Sequence, residues 1–268
     1  MNYQTLIKTI KAKKNFLCVG LDTDFDKIPQ HLLQSEDPIF EFNKKIIDAT
    51  RDYCVAYKPN TAFYESMGAS GWSSLQKTVD YIGDSHFIIA DAKRGDIGNT
   101  AEQYAKAFFE NMHCDSVTIS PYMGGDAVTP FLKYKDKFVI VLALTSNESA
   151  KDFQYFGEQN QPLYEKVIRQ SSQWGDEKNI MFVVGATKPE AFKHIRSIAP
   201  NHFLLVPGVG TQGGSVADVC KYGLNENVGL LINVSRQIIF ASMGEDFEIK
   251  AKEAAMKFAE EMKKIIED

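Results

Sequence analysis

The densest chemistry in the chain lies in Asp91-Ala92-Lys93-Arg94-Gly95-Asp96. An apolar run, Phe87-Ile88-Ile89-Ala90, leads into it, so Asp91 closes a predicted strand. Strand side chains alternate, which puts Asp91 and Lys93 on one side and turns Ala92 and Arg94 away. Asp96 follows on the loop, and Lys58 closes the preceding strand candidate in the same manner. Two lysines and two aspartates in one pocket form an alternating array in which each charge favours the ionised form of its neighbours. At ~4 Å and an effective dielectric of ~20, one such pair is worth about 4 kcal/mol. Fixed charges of this kind act on a substrate whose charge distribution changes during reaction, and need not reorganise to do so. An anionic group pressed toward Asp91 is repelled until it leaves or is protonated. A carbanion developing near Lys93 is stabilised and then protonated. The bland alternative is a solvated strand end with accidental charges; Lys58 at the neighbouring strand end weighs against it.

A second cluster has the chemistry of a phosphate seat. Pro207-Gly208-Val209-Gly210-Thr211-Gln212-Gly213-Gly214-Ser215 follows another apolar run. Its glycines let backbone N–H groups approach an anion closely, and Ser215 is placed to cap the next helix, whose start carries positive potential. Asn233-Val234-Ser235-Arg236 ends the last strand candidate, where Arg236 supplies a planar cationic fork. Glycine-rich turns are common, so the loop gains weight only from Arg236 beside it. Other positions are weaker. Asp22 in Gly20-Leu21-Asp22-Thr23-Asp24 can bind sugar hydroxyls or merely shape a turn, while Asp24 and Asp26 read as solvated loop charges. Thr145 and Ser146 can read a heterocycle edge or cap a turn. Thr100 reads as a helix N-cap with Gln103 as capping-box partner. Trp72 and Trp174 read as packing residues, and Arg94 as non-catalytic.

These residues need a scaffold, and the hydrophobic pattern supplies one. The strand candidates are Phe16–Gly20, Cys54–Lys58, Phe87–Asp91, Ser116–Ile119, Phe138–Leu144, Ile180–Gly185, Phe203–Val206 and Val228–Asn233. Amphipathic stretches lie between them: Phe40, Phe42, Ile46, Ile47 and Thr50; Tyr104, Ala105, Phe108 and Phe109; Phe192 and Ile195 behind Pro189 at a helix start. From Asp246 onward, Ile249, Ala254, Met256, Phe258, Met262 and Ile265 recur among many charges, as on a solvated outer helix. Strand–helix alternation with parallel crossovers means an α/β protein. A doubly wound sheet and a (β/α)8 TIM barrel both satisfy the count. The location of the chemistry favours the barrel, because polar and charged residues gather at the C-terminal ends of many different strands. No linker or low-complexity segment interrupts residues 1–268, which read as one domain. The longest irregular piece runs from about Thr145 to Pro162.

Composition excludes several other classes. The 268 residues are 44% hydrophobic and 24% charged, which is ordinary for a globular chain and ample for a large core. A formal net charge of -5 argues against a nucleic-acid footprint. The longest apolar run, Phe138–Leu144, is far below the ~20 residues of a membrane span. The first residues have helical apolar spacing at Leu6, Ile7 and Ile10 instead of a continuous apolar signal segment, and lack the Arg and Ser of a mitochondrial address, so the chain reads as cytoplasmic. Cys18, Cys54, Cys114 and Cys220 are scattered without a CxxC pair and read as buried thiols. The five histidines show no ligand spacing, and no protein-built metal site is expected.

The ordered set Gly-Leu-Asp22-Thr-Asp, Tyr-Lys58-Pro-Asn, Asp91-Ala-Lys93-Arg-Gly-Asp96-Ile-Gly-Asn-Thr100, Pro-Gly-Val-Gly and Arg236 resembles the orotidine 5'-phosphate decarboxylase family, in its bacterial type 2 branch. The resemblance spans about Asp22 to Arg236, and its Asp-x-Lys-x-x-Asp signature followed by Ile-Gly-Asn-Thr is highly specific. It implies a phosphate-binding (β/α)8 barrel that dimerises through its active-site face and converts orotidine 5'-phosphate to UMP and CO2 without metal or organic cofactor. By resemblance, Lys93 stands where the proton donor to pyrimidine C6 sits and Asp91 where a carboxylate faces the leaving group. Lys58 stands where a lysine bridges the array and the ribose. Asp96 and Thr100 match residues that reach into the neighbouring subunit's site. Asp22 matches a ribose ligand, Ser146 a pyrimidine-edge ligand, and Gln212, Arg236 and the backbone at Ser235 the phosphate grip. Some members place a tyrosine in the strand-seven loop, where this chain has Thr211-Gln212-Gly213-Gly214-Ser215.

Rival readings predict different behaviour. A related barrel acting on a keto-sugar phosphate typically uses magnesium and would need a further strand-end carboxylate, which the sequence does not offer convincingly. Schiff-base chemistry at Lys58 or Lys93 is disfavoured by adjacent aspartates, which keep an amine protonated. A non-catalytic nucleotide binder would gain little from an acid placed against an anionic ligand.

Overall fold

The computed structural model describes residues 1–157, 161–210 and 213–267. Eight short runs of branched and aromatic residues form β1 (Leu17–Leu21), β2 (Ala56–Pro59), β3 (Phe87–Arg94), β4 (Ser116–Ile119), β5 (Phe138–Leu144), β6 (Ile180–Val184), β7 (Phe203–Pro207) and β8 (Leu230–Val234). Each pairs in parallel with its successor, and β1 pairs with β8 through Cys18 opposite Asn233, closing the barrel. The chain is a (β/α)8 barrel, as the placement of polar residues predicts. Every residue of β1, β2, β4, β6 and β8 is buried, and exposure rises at the C-terminal ends of β3 and β7. That gradient marks the mouth, where the predicted chemistry lies.

The helices form for local reasons. Asp37 caps Pro38–Thr50, which buries Ile39, Phe42, Ile46 and Ile47. Pro189 opens Pro189–Ile198, and Ser215 Oγ accepts from the Asp218 N–H to cap Val216–Gly223. Phe247–Glu267 turns Ala251, Ala255 and Met262 inward, while Ile249 and Met256 face solvent. Phe247 and Met262 bury large side chains on that face, with the small Ala251 and Ala255, four apart, between them. All four cysteines are free and buried. Among the described residues no helix is long and apolar enough to cross a membrane.

Some expected boundaries shift. Val228 and Gly229 have φ of 69° and 64°, so β8 begins only at Leu230. Thr100 is not an N-cap: the helix Gly98–Lys106 starts at Gly98 with Ile97 before it, and no side chain caps it. Gly98 at φ 55° turns the chain into the helix earlier than the hydroxyl spacing suggests.

Candidate active site

The Asp91–Lys93 segment is not regular strand. Ala90 pairs with Val117 but Arg94 pairs with Ile119, so four steps along β3 meet two along β4. The surplus is a bulge that re-aims Asp91 and Lys93 at the mouth. Lys93 sits at φ 47°, a left-handed conformation that costs a side-chain-bearing residue roughly 1–2 kcal/mol. Its N–H has left the ladder and donates to Thr118 Oγ1 at 2.9 Å. Arg94, the next residue, is held by Glu65, by the Ala92 carbonyl at 3.2 Å and by the rings of Tyr104 and Phe108. The two heads expected to share a side do so, through this bulge instead of plain alternation.

Asp91 is the hub. Its Oδ2 accepts from Lys58 Nζ at 2.6 Å, and its Oδ1 accepts from Lys93 Nζ at 2.6 Å and from Thr118 Oγ1 at 3.0 Å. Lys58 is 4% exposed and Asp91 8%, whereas the Lys93 side chain is 49% exposed. Burial works against the charge on Asp91, but the flanking Lys58 and Lys93 ammonium groups outweigh it and hold the carboxyl well below its usual range. Burial likewise opposes the charge on Lys58, and the Asp91 and Asp22 carboxylates overcome it and raise the amine. Within the chain the array therefore runs Asp22–Lys58–Asp91–Lys93, with Asp22 Oδ1 3.8 Å from Lys58 Nζ.

Buried polar atoms that make no hydrogen bond gather beside it. Asp22 Oδ1, Asn233 Oδ1 and Ser235 Oγ are inaccessible and make no hydrogen bond. A Cβ on Gly20 would stand 2.8 Å from Ser235 Cβ and 3.1 Å from Asn233 Oδ1, so glycine there lets the end of β8 lie against β1. Unpaired buried acceptors are costly unless a ligand completes them. In the β7 loop, the Gly210 N–H donates to the Gly214 carbonyl and the Gly213 N–H to the Gly210 carbonyl. Gly210 has φ 78°, and the Gln237 side chain occupies the space a Cβ would take. Arg236 is exposed at the start of Arg236–Ile239 and makes no ion pair among the described residues. Gln212 lies outside the described residues.

The remaining predicted residues fall on the same rim. Ser146 is half-buried just past β5, its backbone N 2.8 Å from where a Gly185 Cβ would stand. The neighbouring Thr145 is occupied by Gln154, which accepts from its N–H at 2.8 Å and donates to its hydroxyl at 2.7 Å. Asp96 joins neither lysine within the chain; its carboxylate accepts from the Ile97 N–H, and Thr100 is exposed one turn later. Two site residues escaped the sequence reading. Thr118 had a faint signal: Ser116 and Thr118 are alternate hydroxyl residues in an otherwise apolar, fully buried strand. Asn233 stood inside the strand-eight motif, where Arg236 drew the assignment. Among the described residues no three His, Cys, Asp or Glu side chains converge as a metal site.

Residues 15–248 match the model of the orotidine 5'-phosphate decarboxylase / HUMPS family. The chain belongs to that family. It is 58% identical over 270 residues to the orotidine 5'-phosphate decarboxylase of Phocaeicola vulgatus, with 99% of each chain covered. It is also 58% identical over 270 residues to that of Flavobacterium johnsoniae, covering 100% of this chain and 99% of the other. Among solved structures, the OMP decarboxylase of Leishmania donovani superposes with a TM-score of 0.87 at 36% identity over the whole of both chains. The family membership agrees with the resemblance carried by Asp22 through Arg236, and the superposition with the barrel.

Proposed function

We propose that this chain decarboxylates orotidine 5'-phosphate to UMP, the last step of de novo pyrimidine synthesis, in the cytoplasm and as one domain over residues 1–268. The observation that carries this reading is the Asp91 carboxylate held 2.6 Å from both Lys58 and Lys93 at the barrel mouth. The phosphate is gripped by the β7 loop with Gln212, by Arg236 and by the backbone at Ser235. Asp22 and Lys58 bind the ribose, and Ser146 reads the pyrimidine edge. Phosphate binding, remote from the reacting carbon, supplies the energy that presses the substrate carboxylate toward Asp91. Lys58 and Lys93 keep Asp91 anionic, so this contact is unfavourable until the carboxylate departs. The C6–carboxyl bond breaks with its electron pair left on C6, CO2 leaves, and the Lys93 ammonium stabilises the carbanion and protonates it. Lys93 then recovers its proton from water.

The active unit in this reading is a homodimer in which Asp96 and Thr100 complete the neighbour's site. Three features support it: Asp96 joins neither lysine of its own chain, Thr100 is exposed, and Ile97, Tyr122 and Met123 leave apolar surface on the same rim at 51%, 85% and 46% exposure. No nucleic-acid or membrane partner belongs to this reading. Incubation with orotidine 5'-phosphate, followed by loss of its ultraviolet absorbance with and without EDTA, tests it. The expected result is UMP formation unaffected by the chelator. Tight binding without turnover would favour a regulatory binder, and chelator-sensitive activity on a keto-sugar phosphate would favour the magnesium-dependent alternative.

A further inference from the structure

We infer that Thr118 is a positioning residue for the decarboxylation, its hydroxyl fixing Asp91 and Lys93 relative to each other across the β3 bulge; the inference rests on the reaction proposed above. Thr118 is 1% exposed, and its Oγ1 has two partners. It accepts from the Lys93 N–H at 2.9 Å and donates to Asp91 Oδ1 at 3.0 Å. The first bond replaces the ladder bond that the bulge removes, and so supports the left-handed backbone at Lys93. The second fills a lone pair on the oxygen that also receives Lys93 Nζ. A carboxylate offers about four lone-pair sites. Thr118 and Lys93 take both sites on Oδ1, and Lys58 takes one on Oδ2. The carboxylate is thus held from three directions, with one site on Oδ2 left over. One hydroxyl reads out the backbone of the proton donor and the side chain of the opposing acid together, which neither lysine can do. Its proton has one use: bonding Asp91 commits its lone pairs to Lys93.

Valine matches threonine in shape but lacks this hydroxyl, and serine keeps the hydroxyl but lacks the methyl. In the full-length protein, Thr118→Val should lower kcat about 10- to 100-fold, as expected for a reacting group misplaced by a fraction of an ångström. UMP affinity should stay within about threefold, because ground-state binding is carried elsewhere. Thr118→Ser should recover most of kcat. If valine disturbs β4, Thr118→Ala against Thr118→Ser gives the same contrast. Wild-type kcat in Thr118→Val, or a serine variant as slow as the valine one, would overturn the inference in favour of simple packing. Crystal structures of wild type and Thr118→Val supply a reading independent of turnover. The inference expects Lys93 to leave its positive φ or Asp91 to rotate off Lys93, and an unchanged pair of 2.6 Å contacts around the same backbone would sink it. Failure of the proposed reaction itself is recognised separately, as a wild-type protein that does not convert orotidine 5'-phosphate.

Discussion

At the scale of single residues, the proposed reaction divides labour between a buried pair and a half-exposed proton donor. Lys58 and Asp91 are almost fully buried and fix charge, whereas Lys93 reaches toward the open mouth, where a substrate carbon can meet it. Lys93→Ala should therefore fold and still bind UMP, but lose nearly all turnover. A variant with wild-type kcat would remove Lys93 from the mechanism. Arg236 is exposed and makes no ion pair among the described residues, so its replacement should act on binding more than on chemistry. Arg236→Ala should weaken UMP about 10- to 100-fold, the worth of a charge-assisted phosphate contact, and leave uridine affinity unchanged. Calorimetric titration with both ligands checks this; equal affinity of the wild type for nucleoside and nucleotide would refute the phosphate assignment. The charged members of this site were legible in the sequence because charges at the ends of apolar runs have no packing explanation. Thr118 was not, because a single hydroxyl in a core strand resembles ordinary packing until its partners are known.

At the scale of elements, strand ends position the charges and a polar network beneath them holds one end in place. Asn43, fully buried on Pro38–Thr50, accepts from Thr23 Oγ1 at 2.5 Å and donates to Tyr64 OH at 2.9 Å and Thr78 Oγ1 at 3.0 Å. Tyr64 OH in turn donates to the Leu21 carbonyl, directly before Asp22. This ties three helices to the end of β1. Asn43→Leu removes three buried hydrogen bonds and leaves the Thr23 hydroxyl without its acceptor, and should cost about 2–4 kcal/mol of unfolding free energy in urea titrations. Unchanged stability would show that the network is dispensable. Element types were legible from periodicity: β4 and β5 match their expected bounds, Ser116–Ile119 and Phe138–Leu144. Two details were not. The β3 bulge depends on a neighbouring strand's register, and the helix start at Gly98 depends on a positive φ that the Thr100/Gln103 spacing does not encode.

At the scale of the whole molecule, the barrel separates a charged mouth from buried neutral histidines. Burial, reinforced by the nearby Lys13 ammonium, pushes His86 down from 6.5 to about 4. Its Nε2 lies 2.7 Å from the Arg51 carbonyl and 3.2 Å from Lys13 Nζ, and its Nδ1 lies 2.9 Å from Ser85 Oγ, a setting that suits the neutral ring. The unfolded chain takes up a proton that this ring refuses, so stability should fall as pH drops from about 6.5 to about 4, by up to about 3 kcal/mol from His86. His202, lowered by burial, adds in the same sense, and Asp91 does so only at more acid pH. Asp115, raised by burial, acts in the opposite sense. Urea unfolding at several pH values checks this, and His86→Gln should flatten the slope; an identical slope would contradict the assignment.

In the proposed reaction four opposite-sign side chains, Lys58, Asp91 and Lys93 of one subunit and Asp96 of its neighbour, meet at one scissile bond. Mixing inactive Lys93→Ala and Asp96→Ala subunits tests it most directly. In a mixed two-fold dimer one site carries both lesions and the other carries neither. Random re-pairing of equal amounts should then restore about a quarter of wild-type decarboxylation, since half the dimers are mixed and one of two sites in each is intact. A mixture that stays inactive although mixed dimers form would show that Asp96 does not serve its neighbour's Lys93.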